Sequence, residues 1–149
     1  MISNEVTNLK LIGKNQEDLK VISAYMQDSI VLIKDIVFLK RNSSFVMIVN
    51  RFMWEDVEKG VFRENKRIRS ALKFEEVLSV KSKNINQKNK NQPLECLAIK
   101  SDPTTENFYE IRIFFAGKGI ITLIAETIEV LMSDLGKSWN VKHIPKHKI

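Results

Sequence analysis

Cysteine, histidine, proline and glycine are all scarce in this 149-residue sequence, which has one Cys, two His, three Pro and five Gly. A lone Cys96 cannot close an internal disulfide, which excludes the small stapled scaffolds of secreted proteins and suits a reducing compartment. His143 and His147 stand four apart but straddle Pro145, which breaks the helix that would aim both at one metal ion. Collagen-like and low-complexity classes fall with the low Gly and Pro content. Long apolar runs are missing too. Residues 30–33 and 36–39 are interrupted by Lys34-Asp35, far short of the roughly 20 residues that span a bilayer as a helix. Met1-Ile2-Ser3-Asn4-Glu5-Val6 lacks the basic start and apolar stretch of a secretory signal, so the expected location is cytoplasmic.

What is present is ordinary for a folded domain: 44% hydrophobic residues and 28% charged ones. A chain of this length buries roughly two thirds of its unfolded surface, enough for a core without a disulfide or metal. Residues 1–149 read as one domain, with a mobile polar loop at about 83–92 and a basic C-terminal tail.

Periodicity places the elements. Asn15 is positioned to cap a helix over 16–28, with Asp18 in its first turn and Leu19, Ile22 and Met26 on one face. Short β-branched and aromatic runs follow, divided by turn residues as in an antiparallel meander. Strands are expected at 9–12, 30–33, 36–39, 45–52, 71–80 (with a bulge at Glu75-Glu76), 94–100, 109–115 and 120–125, the last pair closed by a hairpin at Ala116-Gly117-Lys118-Gly119. At 127–135 the spacing of Ile128, Leu131, Met132 and Leu135, with Thr127 as cap and Gly136 just beyond, predicts a second amphipathic helix. The fold class expected is therefore α+β: a bent antiparallel sheet of about seven strands carrying an N-terminal and a C-terminal helix. That arrangement is similar to a pleckstrin-homology-like partial barrel, in which a final helix plugs one end.

Charge is concentrated. Residues 60–90 hold nine cations against three acids, a net of +6 that equals the excess of the whole chain, and the tail from Lys137 onward adds four lysines. Such a patch suits an anionic partner: an acidic protein, a nucleic acid or a phosphorylated ligand. Arg63, Lys66, Arg67, Arg69 and Lys73 are the candidate anion-binding residues, and Arg67 and Arg69, two apart in a strand, project from one face. The plain alternative is a solvated basic surface. Aromatic interleaving of the kind that single-strand binders use is missing, and no nucleic-acid-binding motif is found.

The second candidate is a strand end, Asn50-Arg51-Phe52-Met53-Trp54-Glu55. Asn50, Arg51, Trp54 and Glu55 form a candidate pocket rim, with Arg51 gripping an anion and Trp54 stacking on a planar group. The plain alternative is a Trp lid over the core edge with Arg51 and Glu55 paired at the surface. No catalytic constellation, cofactor motif or metal-ligand set stands out. Cys96 lacks a partner that would activate it, and Gly117-Lys118-Gly119 joins two strands instead of opening a helix.

Several phrases in order carry a family resemblance: Leu9-Lys10-Leu11-Ile12, Asp18-Leu19-Lys20-Val21-Ile22, Asn50-Arg51-Phe52-Met53-Trp54-Glu55, Ala71-Leu72-Lys73-Phe74-Glu75-Glu76-Val77, Phe114-Phe115-Ala116-Gly117-Lys118-Gly119 and Asp134-Leu135-Gly136 with Trp139. Together they resemble the alphaproteobacterial domain of unknown function 2948 over nearly the whole chain. The resemblance implies a small cytosolic bacterial protein and carries no activity, ligand or site residue with it. The reading that follows is a non-catalytic binding or adaptor module with a basic face. The alternative is a small enzyme or ligand-binding protein centred on Arg51, Trp54 and Glu55.

Overall fold

The computed structural model describes residues 9–55 and 66–141, and every structural statement below concerns these. In chain order they form β1 (Lys10–Gly13), α1 (Gln16–Met26), β2 (Ile30–Leu39), β3 (Ser44–Phe52), β4 (Lys66–Phe74), β5 (Val77–Lys83), β6 (Pro93–Pro103), β7 (Tyr109–Phe115), β8 (Ile120–Ala125) and β9 (Val130–Asn140). All strand pairs are antiparallel, in the order β1-β9-β4-β3-β2-β6-β7-β8-β5.

This corrects the α+β expectation of about seven strands and two helices. The described residues contain nine strands and one α-helix, because 130–140 is a strand. There Val130, Met132 and Asp134 point inward while Leu131, Ser133 and Leu135 point outward, the period of two that a strand requires. Apolar side chains on both faces of β9 also satisfy a helical spacing, which is why the pattern misleads. Gly136, expected just past a helix end, instead takes its left-handed conformation (φ +70°) inside β9. It lies where β9 spends two extra residues opposite the step from Arg67 to Arg69 in β4. With a strand where the plugging helix was expected, the likeness to the pleckstrin-homology-like barrel fails as well.

The one helix forms as its sequence dictates. The Asn15 side chain accepts from the Asp18 amide (2.8 Å), and the Asp18 carboxylate accepts in return from the Lys14 amide (2.9 Å). Leu19, Ile22 and Met26 are buried, and the helix lies on β6, where the Ser23 hydroxyl accepts from the Ile99 amide (2.9 Å). After Met26 the chain leaves the helix at Gln27, and Asp28 turns it at a positive φ of 63°.

Two stretches, 30–39 and 66–83, divide into strands differently from expectation. Residues 30–39 form a single strand whose pairing with β3 is interrupted midway: Ile30 and Val31 pair with β3 on one side and β6 on the other, the β3 pairing lapses until Ile36, and Ile33 and Lys34 bond to Gln92 and Lys90 just before β6. Glu75-Glu76 is a corner instead of a bulge. β4 and β5 are separated by these two residues alone, yet stand third and ninth in the sheet. Only a sheet curled back on itself meets both conditions. The curl is fastened where three turns converge, through bonds from the Val77 amide to the Ser43 carbonyl, Glu75 to Glu129 and Glu126 to Glu76.

Side chains from both halves fill the interior: Phe45, Met47, Val49, Leu72, Phe74 and Met132 from one, Cys96, Ile111, Ile113, Phe115 and Leu123 from the other. Each such burial is worth roughly 1.5–3 kcal/mol for a large aliphatic or aromatic side chain.

Candidate functional site

The strand end of β3 brings its polar residues to two opposite faces. Alternation sends Met47, Val49 and Arg51 inward and Val46, Ile48 and Asn50 outward. Arg51 is therefore carried into the interior and is fully buried. A guanidinium there must be matched by carboxylates, and two are supplied. Nε donates to Asp134 (3.1 Å), Nη2 to Asp134 and Glu55 (both 2.8 Å), and Nη1 to Glu55 (2.8 Å) and the Phe52 carbonyl (3.3 Å). All five N–H groups are spent within the protein. Burial by itself would lower the Arg51 pKa, but the hydrogen bonds and charges of Glu55 and Asp134 outweigh it and hold the value above the ordinary one. Asp134 is equally engaged, accepting also from the Ser70 hydroxyl (2.5 Å) and the Leu9 amide (3.3 Å). The Tyr25 ring of α1 covers the guanidinium at 5.7 Å.

Thus Arg51 and Glu55 do pair, as the plain expectation had it, but inside the protein and with Asp134 as a second carboxylate. Trp54 lies against the end of α1, where its indole N–H donates to the Gln27 carbonyl (2.8 Å) and its ring meets Phe52 edge-on at 4.6 Å. Between Trp54, Glu55 and the helix residues Lys20, Ala24 and Tyr25 lies an open groove of about 430 Å³.

On β4 the alternation is reversed in chemistry. Ile68, Ser70, Leu72 and Phe74 face inward, so Arg67, Arg69 and Lys73 share the outward face, with Lys66 half-buried at the strand start. They are not equivalent. Arg67 turns back onto the protein: its Nη1 donates to the carbonyls of Asn50 (3.0 Å) and Asp28 (3.2 Å), and its guanidinium covers the Phe52 ring at 5.7 Å. Burial lowers its pKa below the ordinary arginine value, against the opposing pull of the Asp28 and Glu95 carboxylates. Arg69 is half exposed and stands 3.8 Å from Asp35, whereas Lys73 meets Glu75 at 2.9 Å. Lys73 and the Ser44 hydroxyl hold the Glu75 carboxyl below its usual range, against a smaller opposing effect of burial. Asn50 lies outward opposite Arg69. Arg63 and the tail from residue 142, with both histidines, lie outside the described residues.

Sequence reasoning missed Ser70 and Asp134. Asp134 falls in the helix expected at 127–135, and Ser70 precedes the strand expected at 71–80. The available signal was polarity at inward strand positions, which in a buried sheet demands a partner such as Arg51.

Cys96 is fully buried, and burial, aided by the charge of Asp28, pushes its thiol up to about 12, far from nucleophilic. Among the described residues no group of three His, Cys, Asp or Glu side chains is placed to hold a metal ion, and no helix is long and apolar enough to cross a membrane. Neither the curated proteins nor the solved structures include a significant match to the chain. The model of the family described as a protein of unknown function (DUF2948) matches residues 9–147, and the chain belongs to that family.

Proposed function

We propose that the chain is a non-catalytic cytosolic binding module whose outward β4 face docks an acidic protein surface. The observation that carries this is the composition of that face. Arg69 and Lys73 project between exposed or half-buried aliphatics on both sides, Ile48 and Val37 toward β2, and Leu131, Leu135 and Ile12 toward β1. An outward sheet face that mixes apolar area with cations matches the make-up of protein interfaces. Nucleic acid would favour a denser cationic groove with several stacking aromatics, whereas here Phe52 is covered and Trp139, opposite Arg67, is a single exposed ring. One neighbouring turn adds to the basic area. The β2 irregularity sets the Asp35 carboxylate beside Arg69 and bonds the Lys34 amide to the Lys90 carbonyl (2.9 Å), so the lysine-rich turn at 84–92 adjoins this side of the sheet. A buried, unpaired Cys96 suits the cytosol.

The test is affinity capture from native cytosol, with and without nuclease, using the intact chain and the variant Arg69→Glu with Lys73→Glu. Arg67 is left untouched because its bonds to two carbonyls make it part of the scaffold. A nuclease-resistant partner that is lost in the variant and released by moderate salt is the expected result. Retention in the variant, or loss on nuclease treatment, would count against it.

A second reading rests on the 430 Å³ groove, where Trp54, Tyr25 and Glu55 face a space that can admit a planar ligand. Arg51 would act there by fixing Glu55. Quenching of Trp54 fluorescence by planar ligands, in a Trp139→Phe background, tests it; a flat response across such a set would eliminate it.

A further inference from the structure

Where β2 parts from β3, the curled sheet opens. The pairing between them lapses from Val31 to Ile36, and on the facing side β5, last in the sheet order, bonds to β8. Side chains fill the gap between β2 and β5 instead of a hydrogen-bond ladder, and they leave a cavity of about 290 Å³. Its floor is Ile33, Phe45 and Ile121, all buried. Its walls are the half-buried Ile36, Phe38, Val80 and Ile85. The polar lining consists of Ser82, Gln87 and Lys90, the last two on the turn at 84–92.

That turn is anchored. The Asn84 side-chain amide donates to the Lys118 carbonyl (3.0 Å), the Lys34 amide to Lys90, and the Gln87 amide to the Ser82 hydroxyl (2.7 Å). Ile85 rests against Gly119, where even a Cβ would come within 3.1 Å of it, so the β7–β8 hairpin is shaped to receive this side chain. The opening is thus preformed, which lowers the ordering cost of filling it.

Size and charge then define the occupant. The volume is about twice the ~150 Å³ that accommodates benzene, room for roughly ten to twelve heavy atoms. Apolar walls select a hydrocarbon body. Lys90 is the one charged residue of the lining, and it has no carboxylate partner among the described residues.

We propose that this cavity binds a medium-chain aliphatic carboxylate, its chain on Ile33, Phe45 and Ile121 and its head group at the mouth beside Lys90 and Gln87. The site is separate from the outward β4 face and from the Trp54 groove, so its fate does not depend on either.

Calorimetric titration of the intact chain with octanoate, octanol and octylamine tests it. Octanoate should bind most tightly, with an advantage over octanol of roughly fivefold, the scale of one solvent-screened charge pair, and octylamine most weakly. Lys90→Glu should erase the octanoate advantage, and Val80→Trp should abolish binding by filling the space. In the unaltered protein, octanoate should shift the methyl resonances of Ile33, Ile36, Ile85 and Ile121. The methyl map needs no variant, so a misfolded Val80→Trp would not blunt the test. Absent octanoate binding, octylamine binding as well as octanoate, shifts confined to other isoleucines, or binding that survives in a folded Val80→Trp protein would each overturn the proposal.

Discussion

Arg51 and Arg69 lie on adjacent strands, one register step apart, and on opposite faces of the same sheet. The inner arginine has every N–H committed to two carboxylates and a carbonyl, whereas the outer one has half its side chain in water and one acid 3.8 Å away. A residue's availability to a partner is thus decided by which side of the pleat it occupies. Arg67 shows that facing outward is not sufficient, since its guanidinium is folded back onto main-chain carbonyls. Of the candidate cations described, Arg69 and Lys73 are the pair whose removal should alter recognition and leave the fold intact.

The sharpest way to break this contrast is Arg51→Ala, which strands Asp134 in the interior. We expect a loss of about 3–5 kcal/mol in urea unfolding, and a double variant, Arg51→Met with Asp134→Leu, should recover much of it. A loss under 1 kcal/mol for the single variant would mean that the inner cluster is dispensable.

Cys96 extends the inner side of the comparison to pH. Its folded thiol keeps its proton up to about 12, while the unfolded thiol releases it near 9.0. The unfolded state therefore sheds a proton in that window and stability falls as pH rises through it, with no contribution below it. Cys96→Ala should show a shallower alkaline loss than the parent in otherwise identical melts. Parallel curves would show that the thiol is ionised, or exposed, in the folded protein.

Arg67→Ala should cost about 1–2 kcal/mol through two lost hydrogen bonds to carbonyls. The smallest change is predicted for Arg69→Glu with Lys73→Glu, within about 0.5 kcal/mol per site by thermal or urea unfolding, as for exposed positions in general. If that pair destabilised the chain as much as Arg67→Ala, the distinction between scaffold and contact arginines would collapse.

How far these features are legible in the sequence depends on which interaction decides them. Helix α1 is readable because its signals are local: an Asn cap, an acid three residues on and an apolar stripe all fall within twelve residues. β7 and β8 are readable because clean alternation flanks a two-residue turn at Gly117 and Lys118. β9 fails because its inward set includes Asp134, and an aspartate spoils the apolar alternation unless Arg51, 83 residues earlier, is known to meet it. The same long-range pairing hid the nature of the Arg51 site, which looked like a surface rim when read alone. β4 was half legible: its outward cations were expected, but the folding back of the Arg67 guanidinium depends on the carbonyls of Asn50 in β3 and Asp28 in the turn after α1.

β9 also sits between β1 and β4, so the earliest strand of the described chain and the fourth are joined through the latest. During synthesis β1 waits for residues 130–133, more than a hundred positions downstream, before its edge is covered. The half-built sheet must then hold Asp134's future partners, Arg51 and Ser70, in water until the final strand arrives. Completion of this fold is accordingly tied to the emergence of residues 130–140 from the ribosome, and the nascent chain presents an unpaired β4 edge throughout that interval.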